Sequence, residues 1–269
     1  MKKRWVALFL ALLVLAVCIT ACDKYDAVDD GDSDDAESDE TSVKVTLVLA
    51  PANEKDRIIL DSASGDPIGD ALSKRLENNG IDDWSMKTDP EDNLIEVKFI
   101  AESKAQAQEM ADKLCPRGEV RLLFYEGDDT ITGADGSVAP LGVLILDSRN
   151  VTSVDAMYVD YSADEPDPQP VISLTFDEVG AMVLAASTEN LAAGVGMLSV
   201  WLDFGENWAE QNQTARYQKV QSFDVFAPIT GGEALLTGFE DMKKAEKLAD
   251  LITENLLPFD LKIKDIRFK

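Results

Sequence analysis

The stretch Leu94–Pro116, LIEVKFIAESKAQAQEMADKLCP, changes its hydrophobic period midway. Leu94 to Ile100 reads as a strand, with apolar residues near a period of two. Ser103 and Gln106 then form a capping-box pattern, Ala107, Met110, Ala111 and Leu114 recur at helical spacing, and Pro116 stops the helix. Upstream, Val43–Leu49 suits a strand. Asp66-Pro67 opens a helix whose Ile68, Ala71, Leu72 and Leu76 share one face, and Gly80 closes it. A short strand near Trp84–Met86 and another at Val120–Tyr125 complete the order β-α-β-β-α-β. That is the split arrangement of a ferredoxin-like sheet with helices on one face, in an α+β fold.

Beyond Glu126 the pattern loosens to about Pro170, with short strand candidates at Leu144–Leu146 and Met157–Tyr161. Val171–Leu174 is a strand that runs into Thr175-Phe176-Asp177-Glu178, a second capping box, followed by an apolar stripe of Val179, Met182, Val183 and Ala186. Leu198–Leu202 and Val220–Phe226 read as strands separated by a polar insert, Gly205 to Lys219, which holds Trp208 and Tyr217. A last helix from Asp241 to about Leu256 buries Ala245, Leu248, Ala249, Ile252 and Leu256. Phe259–Phe268 then closes the fold as a strand.

Composition narrows the chemistry. The 269 residues include 25 Lys+Arg, 51 Asp+Glu and no histidine, for a formal charge of -26. Without histidine there is no Ser-His-Asp or Cys-His apparatus and no three-His metal cage. So acidic a chain is a poor partner for nucleic acid, whose phosphates call for a basic surface. The carboxylates are scattered over polar helix faces and loops, so no enzyme, cofactor or metal site is expected. Asp30, Asp32 and Asp34 begin like a calcium loop, but Asp35 stands where the sixth-position glycine belongs and Thr41 where the bidentate acid belongs.

The first residues set the address. Lys2-Lys3-Arg4 precedes an apolar run from Trp5 to Val17, too short to span about 30 Å of hydrocarbon, and then Cys18-Ile19-Thr20-Ala21-Cys22. Ile19-Thr20-Ala21-Cys22 resembles the bacterial lipobox; an ordinary secretory signal is the alternative. The resemblance implies removal of residues 1–21, acylation of Cys22, and a place at the outer face of the bacterial cytoplasmic membrane. Two or three acyl chains would hold it there stably. Residues 22–42 then form an acidic tether, with ten acids against Lys24 alone and too little apolar surface to fold. Cys115 would be the one cysteine left over, and it reads as a small buried hydrophobe rather than a nucleophile.

Two stretches carry a family resemblance. Pro170-Val171-Ile172-Ser173-Leu174-Thr175-Phe176-Asp177-Glu178-Val179-Gly180-Ala181 resembles the strand-to-helix segment of the first extracytoplasmic domain of SecD, a subunit of the bacterial protein-export machinery. Pro228-Ile229-Thr230-Gly231-Gly232-Glu233-Ala234-Leu235-Leu236-Thr237-Gly238 resembles that family's glycine-rich signature, and Arg75-Leu76 with Gly80-Ile81 resembles a motif in its base. The paired glycines also suit a tight turn, a short strand and a second turn, so a shaping role is favoured over ligand contact.

The resemblance implies a ferredoxin-like base formed by 43–126 and 239–269, with an α+β head, 127–238, inserted between them. It also implies that the head meets exported or unfolded polypeptide or the Sec translocon. No second long apolar run follows, so the family's proton-driven membrane part is not expected here. Trp201 belongs to an apolar strand and the core, whereas Trp208 and Tyr217 are the candidate partner contacts. A structural or scaffold lipoprotein using the same fold for a different partner is the alternative.

Overall fold

The computed structural model describes residues 42–58, 66–160, 168–194, 196–212 and 214–269. The export signal, Cys22 and all of the acidic tether but Ser42 lie outside that set. In chain order the first part holds β1 (Val43–Pro51), α1 (Pro67–Asn78), β2 (Trp84–Asp89), β3 (Leu94–Ala101), α2 (Lys104–Leu114) and β4 (Arg121–Glu126). The middle holds β5 (Thr130–Thr132), β6 (Val138–Pro140), β7 (Val143–Asp147), β8 (Val151–Val159), β9 (Gln169–Phe176) and α3 (Glu178–Gly194). The last part holds β10 (Met197–Asp203), α4 (Glu206–Asn212), β11 (Tyr217–Asp224), β12 (Glu233–Leu236), α5 (Met242–Thr253) and β13 (Leu261–Phe268).

Local chemistry starts the helices where the sequence predicts. Asp66 Oδ1 accepts the Gly69 N–H at 2.9 Å, Ser103 Oγ accepts the Gln106 N–H at 3.1 Å, and Asp241 Oδ1 accepts the Lys244 N–H at 2.8 Å. Gln106 returns the bond to the Glu102 N–H at 2.6 Å, one residue earlier than a capping box requires. These bonds satisfy amides that have no partner within the helix.

The first sheet runs β13-β1-β3-β2, antiparallel throughout. Val45, Leu47 and Leu49 of β1 stand opposite Phe99, Val97 and Ile95 of β3, and all six are buried. The intervening residues, including the paired Glu96 and Lys98, face outward, so only one face of this sheet needs cover. The order is the ferredoxin-like one, but its fourth strand is β13 and not Val120–Tyr125 as the linear pattern predicts. Leu122, Leu123 and Phe124 of β4 are consecutive and all buried. A strand apolar on both faces requires cover on both, which a half-solvated sheet does not offer. β4 therefore lies inside a second sheet, β11-β10-β4-β7, while β12-β9-β8 forms a third and β5-β6 a small hairpin.

Arg75, from the base motif, ties the first sheet's helices to the last one. Its guanidinium donates to the carbonyls of Leu114 at 3.1 Å, Pro116 at 2.6 Å and Glu254 at 2.9 Å, closing the C-terminal ends of α2 and α5. Gly118 permits the crossing that follows, since a Cβ there would stand 2.0 Å from the Asn255 carbonyl oxygen.

Two expectations for α3 are overturned. Its cap is Asp177, whose Oδ1 accepts the Gly180 N–H at 2.6 Å, while Thr175 belongs to β9 and caps nothing. The buried side of α3 consists of Gly180, Leu184, Thr188 and Leu191, and the expected core stripe of Val179, Met182, Val183 and Ala186 faces outward. The helix is apolar nearly all the way round, so periodicity alone does not mark its inner face.

Candidate functional site

The glycine-rich stretch folds against α3. Gly231 and Gly232 have φ of 101° and 78°, β12 follows, and Gly238 turns the chain again at φ 78°, which is the turn-strand-turn the sequence suggests. The Gly232 carbonyl accepts the Phe176 N–H at 2.9 Å, and a Cβ on Gly232 would stand 3.3 Å from the Ala181 Cβ. Further along, Thr188 Oγ accepts the Ile229 N–H at 2.8 Å and donates to the Leu184 carbonyl at 2.7 Å. The motif thus seats α3 by close backbone approach and one buried hydroxyl.

Seated in this way, α3 turns Val179 and Met182 outward at 57% and 60% exposure, beside Val183. Glu178 and Glu189 are its only charged residues. Phe226, at the entrance to the glycine-rich loop, is 78% exposed. Residues of this kind on a helix that is otherwise well packed form an apolar surface with no partner among the described residues.

The polar insert is more ordered than a loop. Asp203 ends β10 with its carboxylate 1% exposed, and it receives Arg121 Nη2 at 2.6 Å, Arg216 Nε at 3.0 Å and the Gly205 N–H at 3.0 Å. Burial alone would raise its pKa, but the bonds from Arg216, Gly205 and Arg121 outweigh burial and hold the carboxyl below the usual aspartate value. Arg216 continues to Glu206 of α4 at 2.7 Å, which fastens both ends of the insert to one buried charge.

Trp208 falls within α4, and its side chain lies outside the described set. Tyr217 is not in a loop: it opens β11, is half-buried opposite Asp203, and has the Arg216 guanidinium 5.0 Å from its ring centroid. Trp201 is 2% exposed, with Nε1 bonded to Ser199 Oγ at 3.1 Å and the Lys219 ammonium 5.2 Å from its ring, as a core residue should be. Cys115 is half-buried against the core, and burial pushes its thiol up to about 11, which leaves little thiolate near neutrality.

No family model matches the chain. Over 197 residues it is 36% identical to protein translocase subunit SecD of Acidaminococcus fermentans, an alignment that takes in 73% of this chain and 38% of that protein. The chain therefore spans about two fifths of the length of this curated relative. Among solved structures, SecDF, described as a membrane component that enhances protein export, aligns with a TM-score of 0.42 at 19% identity. That match covers 82% of this chain and 99% of the other. SecDF of Thermus thermophilus, described as a translocon-associated membrane protein, aligns at 0.36 and 18%, over 99% of this chain and 36% of the other.

Proposed function

This chain is a homologue of SecD, of the SecDF protein-export family, and on that footing we propose that it is a non-enzymatic accessory of protein export. It holds unfolded segments of exported polypeptide, or the Sec translocon itself, against its head. The observation that carries this reading is the outward apolar face of α3, with Val179, Met182 and Val183 exposed and only Glu178 and Glu189 charged on the whole helix. Folding gains nothing from leaving that surface in water, whereas an unfolded chain offers apolar side chains to cover it. The unbranched thioether of Met182 adapts to segments of different shape. No described helix is long and apolar enough to cross a membrane. Membrane attachment is assigned to lipid on Cys22 after removal of residues 1–21, with residues 22–42 as the spacer.

In this reading the base comprises 43–126 and 239–269 and the head 127–238, except that β4, paired with β7 and β10, belongs with the head. Trp208 and Tyr217 extend the contact surface onto the insert. The rigid attachment of that insert at Asp203 favours a second reading, in which it recognises one fixed partner and the protein serves as an envelope scaffold.

Photo-crosslinkers at Met182, Trp208 and Tyr217 in cells distinguish these readings. Exported chains or Sec subunits should be recovered from position 182; recovery of neither from any position sinks the export reading, and a single unrelated partner at 208 supports the scaffold. Cys22→Ser should abolish acyl labelling and leave the protein unprocessed or released, and unchanged labelling would refute the anchor.

A further inference from the structure

A groove of about 380 Å³ lies between α1, β8 and α5. Its strand wall is made by four consecutive residues, Ser153 to Ala156. Alternate side chains of a strand point to opposite faces, so a groove lying on one face would meet only every second residue. This groove therefore runs along the edge of β8. The edge is unpaired: β8 ends the three-stranded sheet and bonds only to β9 among the described residues. Four residues of strand present about 13 Å of backbone donors and acceptors at 3.3 Å per residue.

The two helix walls supply four carboxylates against one ammonium, a net negative charge. Asp70, Lys74 and Glu77 share one face of α1, Glu246 and Asp250 share one face of α5, and Asp155 projects from β8. Lys74 is already engaged by Glu77 at 3.2 Å and Asp250 at 3.0 Å, and Asp70, Asp155 and Glu246 form no ion pair among the described residues. Burial, and then Asp66 and Asp155, push the Asp70 carboxyl above its usual value. A positive charge placed here would relieve that crowding.

We infer that this groove takes an extended polypeptide segment bearing lysine or arginine, which adds as a fourth strand along β8 with its cations directed at the carboxylates of α1 and α5. Main-chain pairing gives affinity without regard to sequence, and the acidic walls select the charge. Of the chain's own segments outside the described residues, the one with clustered cations is Lys2-Lys3-Arg4, which belongs to the export signal assigned to removal, and the others do not fit. Residues 59–65 and 161–167 contain no lysine or arginine, and residues 23–41 set ten acids against Lys24. The inference rests on the export reading and names a second class of segment for it, cationic and extended where α3 takes apolar ones.

The test uses the full chain and a fluorescent decapeptide alternating lysine and valine. The peptide should bind, its glutamate counterpart should bind at least tenfold more weakly, and N-methylation of alternate peptide amides should cost at least tenfold. Asp155→Lys with Glu246→Lys, both at exposed positions, should reverse the preference between the two peptides. Equal binding of lysine and glutamate peptides, or no effect of N-methylation, overturns the inference. Self-association abolished by the double variant, without peptide binding, also overturns it and makes a second copy the occupant. Should the double variant fail to fold, the N-methyl series on the unaltered protein still decides. Loss of crosslinking at Met182 with lysine-peptide binding intact counts against the export reading alone; the converse result counts against the groove alone.

Discussion

Replacing Asp203 by alanine should both destabilise the protein and release the insert. The carboxylate is 1% exposed, while its partners Arg121 and Arg216 are 47% and 37% exposed. A buried hydrogen bond to a charged group contributes about 1.5–3 kcal/mol. Water reaches both guanidiniums and can replace much of what they lose, which reduces each bond to about 1 kcal/mol. The Gly205 N–H, left without its acceptor, adds roughly 1 kcal/mol. The expected loss at pH 7 is therefore about 3 kcal/mol, or roughly 6–12 °C in thermal midpoint for a chain of this size. Asp203→Asn keeps an acceptor for Gly205 and should lose about 2 kcal/mol.

The pH dependence follows from the lowered carboxyl value of the folded state. Its contribution is complete above the unfolded aspartate value near 3.9 and is lost as pH falls through the lower folded value. Urea unfolding at pH 7, 5 and 3 should give a constant gap between wild type and Asp203→Ala at the first two and a smaller one at the third. Hydrogen exchange should increase at Gly205 and at the Phe204 amide, which bonds to the Arg216 carbonyl at 2.8 Å. A gap below about 0.5 kcal/mol at pH 7, the range of ordinary surface substitutions, or one that widens toward pH 3, refutes the assignment of Asp203 as the fastening of the insert.

Arg75→Lys should lose about 2 kcal/mol, because one ammonium cannot reach the Leu114, Pro116 and Glu254 carbonyls together; a midpoint equal to wild type would show that α2 and α5 do not need this closure. Thr188→Val keeps the side-chain shape but leaves the Ile229 N–H without its acceptor, for a loss of about 1–3 kcal/mol. That loss is read from the thermal midpoint. Met182→Glu with Val183→Glu should change stability by no more than about 0.5 kcal/mol, since both side chains face solvent. The same variant should strongly reduce crosslinking to exported chains, and undiminished yield at neighbouring positions would count against α3 as the contact surface.

What the linear pattern revealed was local. Asp66, Ser103 and Asp241 cap helices through residues three positions away, and β1 and β3 declare their inner faces by alternation, so each could be read without knowing its neighbours. The identity of the strand beside β1 could not. Val45 pairs with Phe268 across more than two hundred residues, and nothing near either one records that choice. The continuous run Leu122–Phe124 was the one available sign that β4 belongs between two covered faces. Tyr217 lies in a strand and not in the polar insert for a related reason: β11 starts in polar sequence and is held by Asp203 and Arg216, whose pairing depends on the fold.

The inner face of α3 departs from the sequence pattern for the same reason that its outer face suits the proposed role. Of its four buried positions, Gly180 has no side chain and lies where a Cβ would stand 2.7 Å from that of Asn150, and Thr188 contributes a hydroxyl bonded to the glycine-rich loop. Leu184 and Leu191 alone supply large apolar groups inward. A sequence selected only for folding would place valine and methionine on that side and charges on the other. Here the helix is fixed by close approach and a hydrogen bond, so the larger hydrophobes at 179, 182 and 183 are not required for packing. Their presence in water calls for a partner, and a partner of no fixed shape suits a flexible methionine flanked by two valines better than a preformed interface would.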